Sequence, residues 1–147
     1  MTPASRFDSF FIFSDPVEIE PVQRRIASAM QARRYSVPDI LGVRLALEEA
    51  LVNAIRHGNE QQIARKVHVA FQVDDDQVWI EIEDEGDGFC PAEVADPTRP
   101  DALERPGGRG ILLMQSSMNQ VLFNDRGNRV RMCKVRTDAG AQSPFER

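Results

Sequence analysis

The sequence predicts an α+β fold: a two-layer sandwich in which a mixed, mostly antiparallel sheet carries its helices on one face. Three observations predict it. Apolar residues alternate with period two in two blocks that read as hairpins, and they recur at three- and four-residue steps in stretches gathered between strands. In addition, no strand-glycine-helix unit opens the chain, as a dinucleotide-binding fold would require.

Phe7 to Phe13 is short and aromatic, which suits a first strand, and Ser14-Asp15-Pro16 breaks it. Pro21 fits the first turn of a helix, where its missing N–H is not needed. Val22, Ile26, Ala29, Met30 and Arg33 then follow at helical steps, giving an amphipathic helix to about Tyr35. Ser36-Val37-Pro38-Asp39 repeats the start signal, with Ser36 placed to cap, and the pattern continues to Gly58, a natural C-terminal stop. KVHVAFQV (66–73) and QVWIEIE (77–83) flank Asp74-Asp75-Asp76 as a hairpin, with Val67, Val69, Phe71 and Val73 facing one way and Val78, Ile80 and Ile82 opposite them. Residues 84–110 hold five glycines and four prolines and show no period, a loop length that in a compact domain is usually functional or mobile. Ile111 to Met118 reads as a helix leaving that glycine loop. VLFN (121–124), a turn through Asp125-Arg126-Gly127, and RVRMCKV (129–135) form the second hairpin.

At 147 residues the chain suits one domain over 1–147, with a core of about 7–136 and a frayed tail over 137–147. Hydrophobic residues at 41% and charged residues at 28% fit a globular protein rather than a disordered one. The net charge of -5 argues against direct nucleic-acid binding, because phosphate-tracking proteins usually carry excess lysine and arginine. No apolar run approaches the roughly 20 residues of a membrane helix, so no membrane association and a cytoplasmic location are expected. Cys90 and Cys133 form no CxxC pair, so neither a disulfide framework nor a zinc site is suggested.

Three segments carry chemistry. On the second helix, at roughly 100° per residue, Glu49, Asn53 and His57 fall at about 0°, 40° and 80°, a narrow polar line continued by Gly42 and Ala46. Apolar residues flank it on both sides: Val43, Leu47, Ala50, Leu51 and Ala54 on one, Leu41, Leu45, Val52 and Ile55 on the other. A solvated face would be wider, yet the helix alone does not separate a polar seam from a polar binding line. A glutamate there can take a proton or orient a water, and an asparagine carbonyl is a neutral hard oxygen suited to magnesium. The second segment, DEGDG (84–88), comes directly off a strand: its glycines let backbone approach a flat ligand, and its leading carboxylate can accept from an amino group. The third, GGRGI (107–111), feeds a helix N-terminus, where free N–H groups and Arg109 suit an anion.

Taken together and in this order, the segments resemble the anti-sigma-factor serine/threonine kinase family. That family belongs to the GHKL superfamily, which shares the Bergerat fold with gyrase, histidine-kinase and heat-shock-chaperone ATPase domains. The ExxxN pattern with a following histidine is Glu49, Asn53 and His57; the DxGxG pattern is Asp84, Gly86 and Gly88; the second glycine box is Gly108-Arg109-Gly110. The resemblance implies two cofactors, ATP and Mg2+, with Asn53 ligating the metal and Glu49 acting as base or water-positioning carboxylate. It implies that Asp84 receives the adenine amino group, that Gly86 and Gly88 shape the adenine pocket, and that residues 89–107 form an ATP lid. Gly108 and Gly110 would present N–H groups to phosphate beside Arg109, and His57 would belong to the rim. A sigma factor and an anti-anti-sigma antagonist protein are the implied partners, and a homodimer the implied assembly. Where family members often place a threonine in the last hairpin, this chain reads Gly127-Asn128-Arg129, with Asn128 able to offer a substitute hydrogen bond. No phosphoacceptor helix pair or sensor domain is read, which argues against a complete histidine kinase. A non-catalytic nucleotide-sensing module and a detached catalytic subunit of a histidine kinase stay open as alternatives.

Overall fold

The structure, a computed structural model, describes residues 7–86 and 108–137, with side chains omitted for 108–110. Five strands form one sheet in the order β1-β2-β3-β5-β4: β1 (Asp8–Phe13), β2 (Lys66–Val73), β3 (Gln77–Glu83), β4 (Gln120–Phe123) and β5 (Arg129–Val135). All four pairings are antiparallel. The expected hairpin forms with its apolar sets facing each other, and the register puts Val69 opposite Ile82, Phe71 opposite Ile80 and Val73 opposite Val78. Ile80 and Ile82 in turn face Met132 and Val130 on β5, so one face of the central strands is continuously apolar.

That face is covered by α1 (Ile19–Ala32), α2 (Val37–Val52) and α3 (Gly108–Ser117), and together they bury one core in which Met30, Leu47, Leu51, Ile55, Val67, Ile80 and Met132 are fully enclosed. Each such aliphatic side chain stabilises the fold by about 1.5–3 kcal/mol relative to its exposed state. The opposite face of the sheet is mixed: Arg131 pairs with Glu81 across β5 and β3 at 3.0 Å. Phe11 (64% exposed) and Phe13 (52%) on the edge strand β1 and Leu122 (50%) on β4 stand on that same face.

Helix ends differ from the periodicity. A short 3-10 turn at Pro16–Glu18, capped by Asp15 accepting from the Val17 N–H, feeds α1, so Pro21 falls in its third position. α1 stops three residues before Tyr35 because Arg34 takes a left-handed conformation (φ 60°), letting the Tyr35 N–H reach the Met30 carbonyl and the Arg34 N–H the Gln31 carbonyl. Tyr35 is buried, and its hydroxyl donates to the Asp74 carbonyl at 2.7 Å. α2 begins as expected, with Ser36 Oγ accepting the Asp39 N–H, but at Asn53 it widens into a π-helical turn over Asn53–Gly58. Of the two apolar flanks expected for it, only one is wholly covered. Val43, Leu47 and Leu51 are buried, whereas Leu41 and Leu45 are each more than half exposed, because α1, α3 and the sheet pack against the first flank.

Candidate functional site

The π-helical turn is tied off rather than frayed. The Asn59 N–H reaches back five residues to the Ala54 carbonyl, and Glu60 and Gln61 then reverse the chain with φ of 54° and 56°. Asn59 itself is fully buried. Its Nδ2 donates to Ser14 Oγ (2.8 Å) and to the Lys66 carbonyl (3.0 Å), and its Oδ1 accepts the Glu85 N–H (2.8 Å). One amide therefore fixes the helix end to β1, β2 and the acidic turn after β3. Inserted π turns are frequent at ligand sites, and this one opens the helix where its side chains meet a cavity.

That cavity, of about 370 Å³, lies between the end of α2 and the β3–β5 end of the sheet. Asn53, His57 and Gly58 line it from the helix, Asp84 from the end of β3, and Ile111 and Met114 from α3, with Phe123 and Val130 adding apolar wall. A largely apolar cleft with a few convergent polar groups is the usual form of a small-molecule site.

Asp84 is 9% exposed. Burial pushes its carboxyl up to about 6 from the ordinary 3.8, while the Gly86 N–H, donating to Oδ1 at 2.8 Å, and the nearby Arg126 and Arg65 charges pull the other way. Two glycines leave room for this carboxyl. A Cβ on Gly58 would collide with the Asp84 carboxyl group, and one on Gly86 would collide with the Gly58 carbonyl. The sequence marked Gly58 only as a helix stop; its second use, as the space that a buried carboxylate fills, depends on a residue 26 positions away. Asn59 and the apolar wall were missed for the same reason.

Comparison with known proteins places the fold in a family. The family model described as "Histidine kinase-like ATPase domain" matches residues 12–134. The chain belongs to the histidine kinase-like ATPase domain family. Among the relatives of this histidine kinase-like ATPase domain is the anti-sigma F factor of Clostridium botulinum (strain Eklund 17B / Type B), 35% identical over 106 residues that cover 67% of this chain and 73% of that protein. The anti-sigma F factor of Bacillus subtilis (strain 168) is 29% identical over 116 residues, 74% of this chain and 78% of its own. The serine-protein kinase RsbW of Bacillus licheniformis is 32% identical over 107 residues, 68% of this chain and 67% of its own.

Within this ATPase domain the expected site residues divide into three groups. Asn53, His57 and Asp84 share the cavity, and Gly86 lies directly behind Asp84. Glu49 stands one turn before Asn53, half-buried and outside the cavity lining, and its side chain makes no hydrogen bond or ion pair to any described residue. Gly108, Arg109 and Gly110 make the first turn of α3, whose leading N–H groups have no intrahelical partner, and the next residue, Ile111, lines the cavity. Gly88 and the segment 89–107 lie outside the described residues, as do the tail from 138 and Cys90. Cys133 is buried, and burial pushes its thiol up.

The donor set fits a magnesium ion held mainly by phosphate. Among the described residues no group of three carboxylates, histidines or cysteines converges on one point, and the Asn53 side-chain amide has no partner among those same residues. Magnesium keeps several waters and is commonly bound through one or two protein oxygens together with substrate phosphates, a role open to one neutral carbonyl oxygen. No described helix is long and apolar enough to cross a membrane.

Proposed function

We propose that this protein is an anti-sigma regulator that binds a sigma factor and uses Mg-ATP to phosphorylate a serine or threonine of an antagonist protein. The observation that carries the reading is the cavity that joins Asn53 to the buried Asp84, with Glu49 one helical turn before Asn53. The relatives named as anti-sigma factors and serine-protein kinases support it.

In this reading Asp84 accepts a hydrogen bond from the adenine amino group, and the apolar wall of Ile111, Met114, Phe123 and Val130 packs the base. Gly86 and Gly88 shape that pocket. Gly108 and Gly110 offer N–H groups to the phosphates, Arg109 adds positive charge, and His57 belongs to the rim. Asn53 lends its carbonyl oxygen to magnesium, which when bound neutralises phosphate charge. Glu49 takes the proton of the acceptor hydroxyl as its oxygen bonds to the γ-phosphorus and the bond from that phosphorus to ADP breaks. Catalysis is then chiefly positioning and charge neutralisation. A cytoplasmic location and a homodimer belong to the same proposal.

A second reading, a nucleotide-sensing module that transfers nothing, is favoured by the place of Glu49 outside the cavity lining. Incubating the purified protein with its antagonist and γ-labelled ATP decides the matter. Acid-stable phosphate on the antagonist, abolished by Glu49→Ala with ATP affinity nearly intact, supports the kinase. ATP binding without transfer, or equal transfer by wild type and variant, rejects it. Acid-labile phosphohistidine would instead mark a histidine-kinase subunit.

A further inference from the structure

Glu49, the group given the acceptor's proton above, does not line the cavity, although Asn53 four residues later does. A carboxylate with that task has to meet the acceptor hydroxyl rather than the nucleotide, so its place outside the lining marks the side from which an acceptor comes. On that side α2 and its π-helical turn carry a row at four-residue steps: Val37, Leu41, Leu45, Glu49 and Asn53. Residues at that spacing are neighbours along a helix and form one continuous ridge. The ridge changes character along its length. Val37 is 68%, Leu41 56% and Leu45 53% exposed, Glu49 is half-buried, and Asn53 lines the cavity. α3 runs antiparallel beside it: Gly42 lies against the Ser117 carbonyl, which a Cβ would approach to 3.2 Å, and at the other end Asn53 and Ile111 share the cavity. Leu113, one turn before Ser117, adds a further exposed aliphatic side chain on that neighbouring helix.

Isolated exposed leucines are ordinary, but aliphatic side chains in line, at positions where a surface helix normally carries charge, form a patch. From this row we infer that Val37, Leu41 and Leu45 dock the acceptor protein: a segment of that protein lies along the ridge with apolar side chains over Leu41 and Leu45, and its hydroxyl reaches Glu49. The inference rests on the kinase reading above and adds a substrate class to it. At about 1.5 Å per residue, Leu45 and Leu41 stand roughly 6 and 12 Å from Glu49 along the helix axis, so the acceptor recognised here carries aliphatic groups at about those distances from its hydroxyl. The patch measures a few hundred Å², against about 800 Å² per partner in a standard stable interface. That size suits a substrate that has to leave after transfer, not a permanent subunit.

The test follows transfer of label from γ-labelled ATP to the antagonist that the wild type labels in the assay above, over a range of antagonist concentrations. The paired variant Leu41→Ser, Leu45→Ser is expected to raise KM for the antagonist by about tenfold. Its kcat at saturating antagonist stays within about twofold of wild type and its ATP affinity by titration calorimetry is unchanged, as expected when uniform binding is lost. Both positions are more than half exposed, so the variant stays folded, which thermal melts check. The pair Leu41→Met, Leu45→Met keeps the apolar surface and returns KM to near the wild-type value. Leu122→Ser, on the opposite face of the sheet, controls for loss of exposed apolar surface in general and leaves KM as it was. An unchanged KM in the serine pair, an equal rise in the Leu122 variant, or a loss confined to kcat overturns the docking role. A serine pair that instead turns a larger species into single chains in sedimentation makes the row an interface between copies and overturns it as well. A wild type that binds ATP but labels no antagonist overturns the kinase reading itself, and the docking inference with it.

Discussion

Asp84→Asn is expected to make the ligand-free protein more stable while weakening its hold on ATP. The carboxyl is pushed to about 6 from 3.8, chiefly by burial. A shift of that size means that keeping the group ionised in the folded state at pH 7 costs about 3 kcal/mol. Asparagine retains an oxygen to accept the Gly86 N–H and carries no charge, so it removes most of this cost. For a chain of this length the gain corresponds to a rise in melting temperature of roughly 2–10 °C. The sign of the pH effect follows from the folded value lying above the unfolded one. Between about 3.8 and 6 the native state binds more protons than the unfolded state, so the wild-type penalty is present in full above 6 and is relieved as pH falls through it. From pH 7 to pH 5 the wild type should recover about 1.3 kcal/mol relative to the variant. Urea unfolding of both proteins at the two pH values reads this difference directly, since groups common to both cancel. A variant less stable than wild type at pH 7, or a stability difference that does not move between pH 7 and 5, refutes the reasoning.

Gly58→Ala places a methyl group against the Asp84 carboxyl, so a loss of about 1–3 kcal/mol in thermal stability and a clear loss of ATP affinity are expected; a variant that melts and titrates like wild type contradicts the packing described. Asn53→Ala removes the neutral oxygen and Asn53→Asp sets a further anion beside the triphosphate. Each should weaken magnesium-dependent ATP binding on the order of tenfold, and an unchanged magnesium titration would deny Asn53 its role. Leu51→Ala, at the centre of the core, should cost about 2–5 kcal/mol by chemical denaturation, and a cost below 1 kcal/mol would mean that the core relaxes around the gap.

What the sequence shows of this fold is what short-range periodicity can carry. Both hairpins, the apolar face of the first and the start of α2 at Ser36 were legible, because alternation and capping are decided within a few residues. The end of α1 was not, because Arg34 supplies the left-handed residue that glycine or asparagine would have advertised. Nor was the widening of α2. Its apolar spacing continues through Ile55, and the π turn is closed by Asn59, whose partners Ser14, Lys66 and Glu85 come from three other segments.

The same division runs through the site. Asn53, His57 and Asp84 were legible as residue types in the right order, but what makes Asp84 unusual is invisible at that level. Gly58 leaves the space that the Asp84 carboxyl fills, and the resulting burial, which pushes that carboxyl up, is a property of two segments far apart in the sequence packed together. An acidic glycine turn in isolation would keep an ordinary carboxylate. The motif therefore names the group proposed to receive the ligand, while the packing around it decides whether that group is a solvated anion or a desolvated acceptor. Only the desolvated one, already stripped of competing water, returns a large part of its burial cost when an amino group arrives.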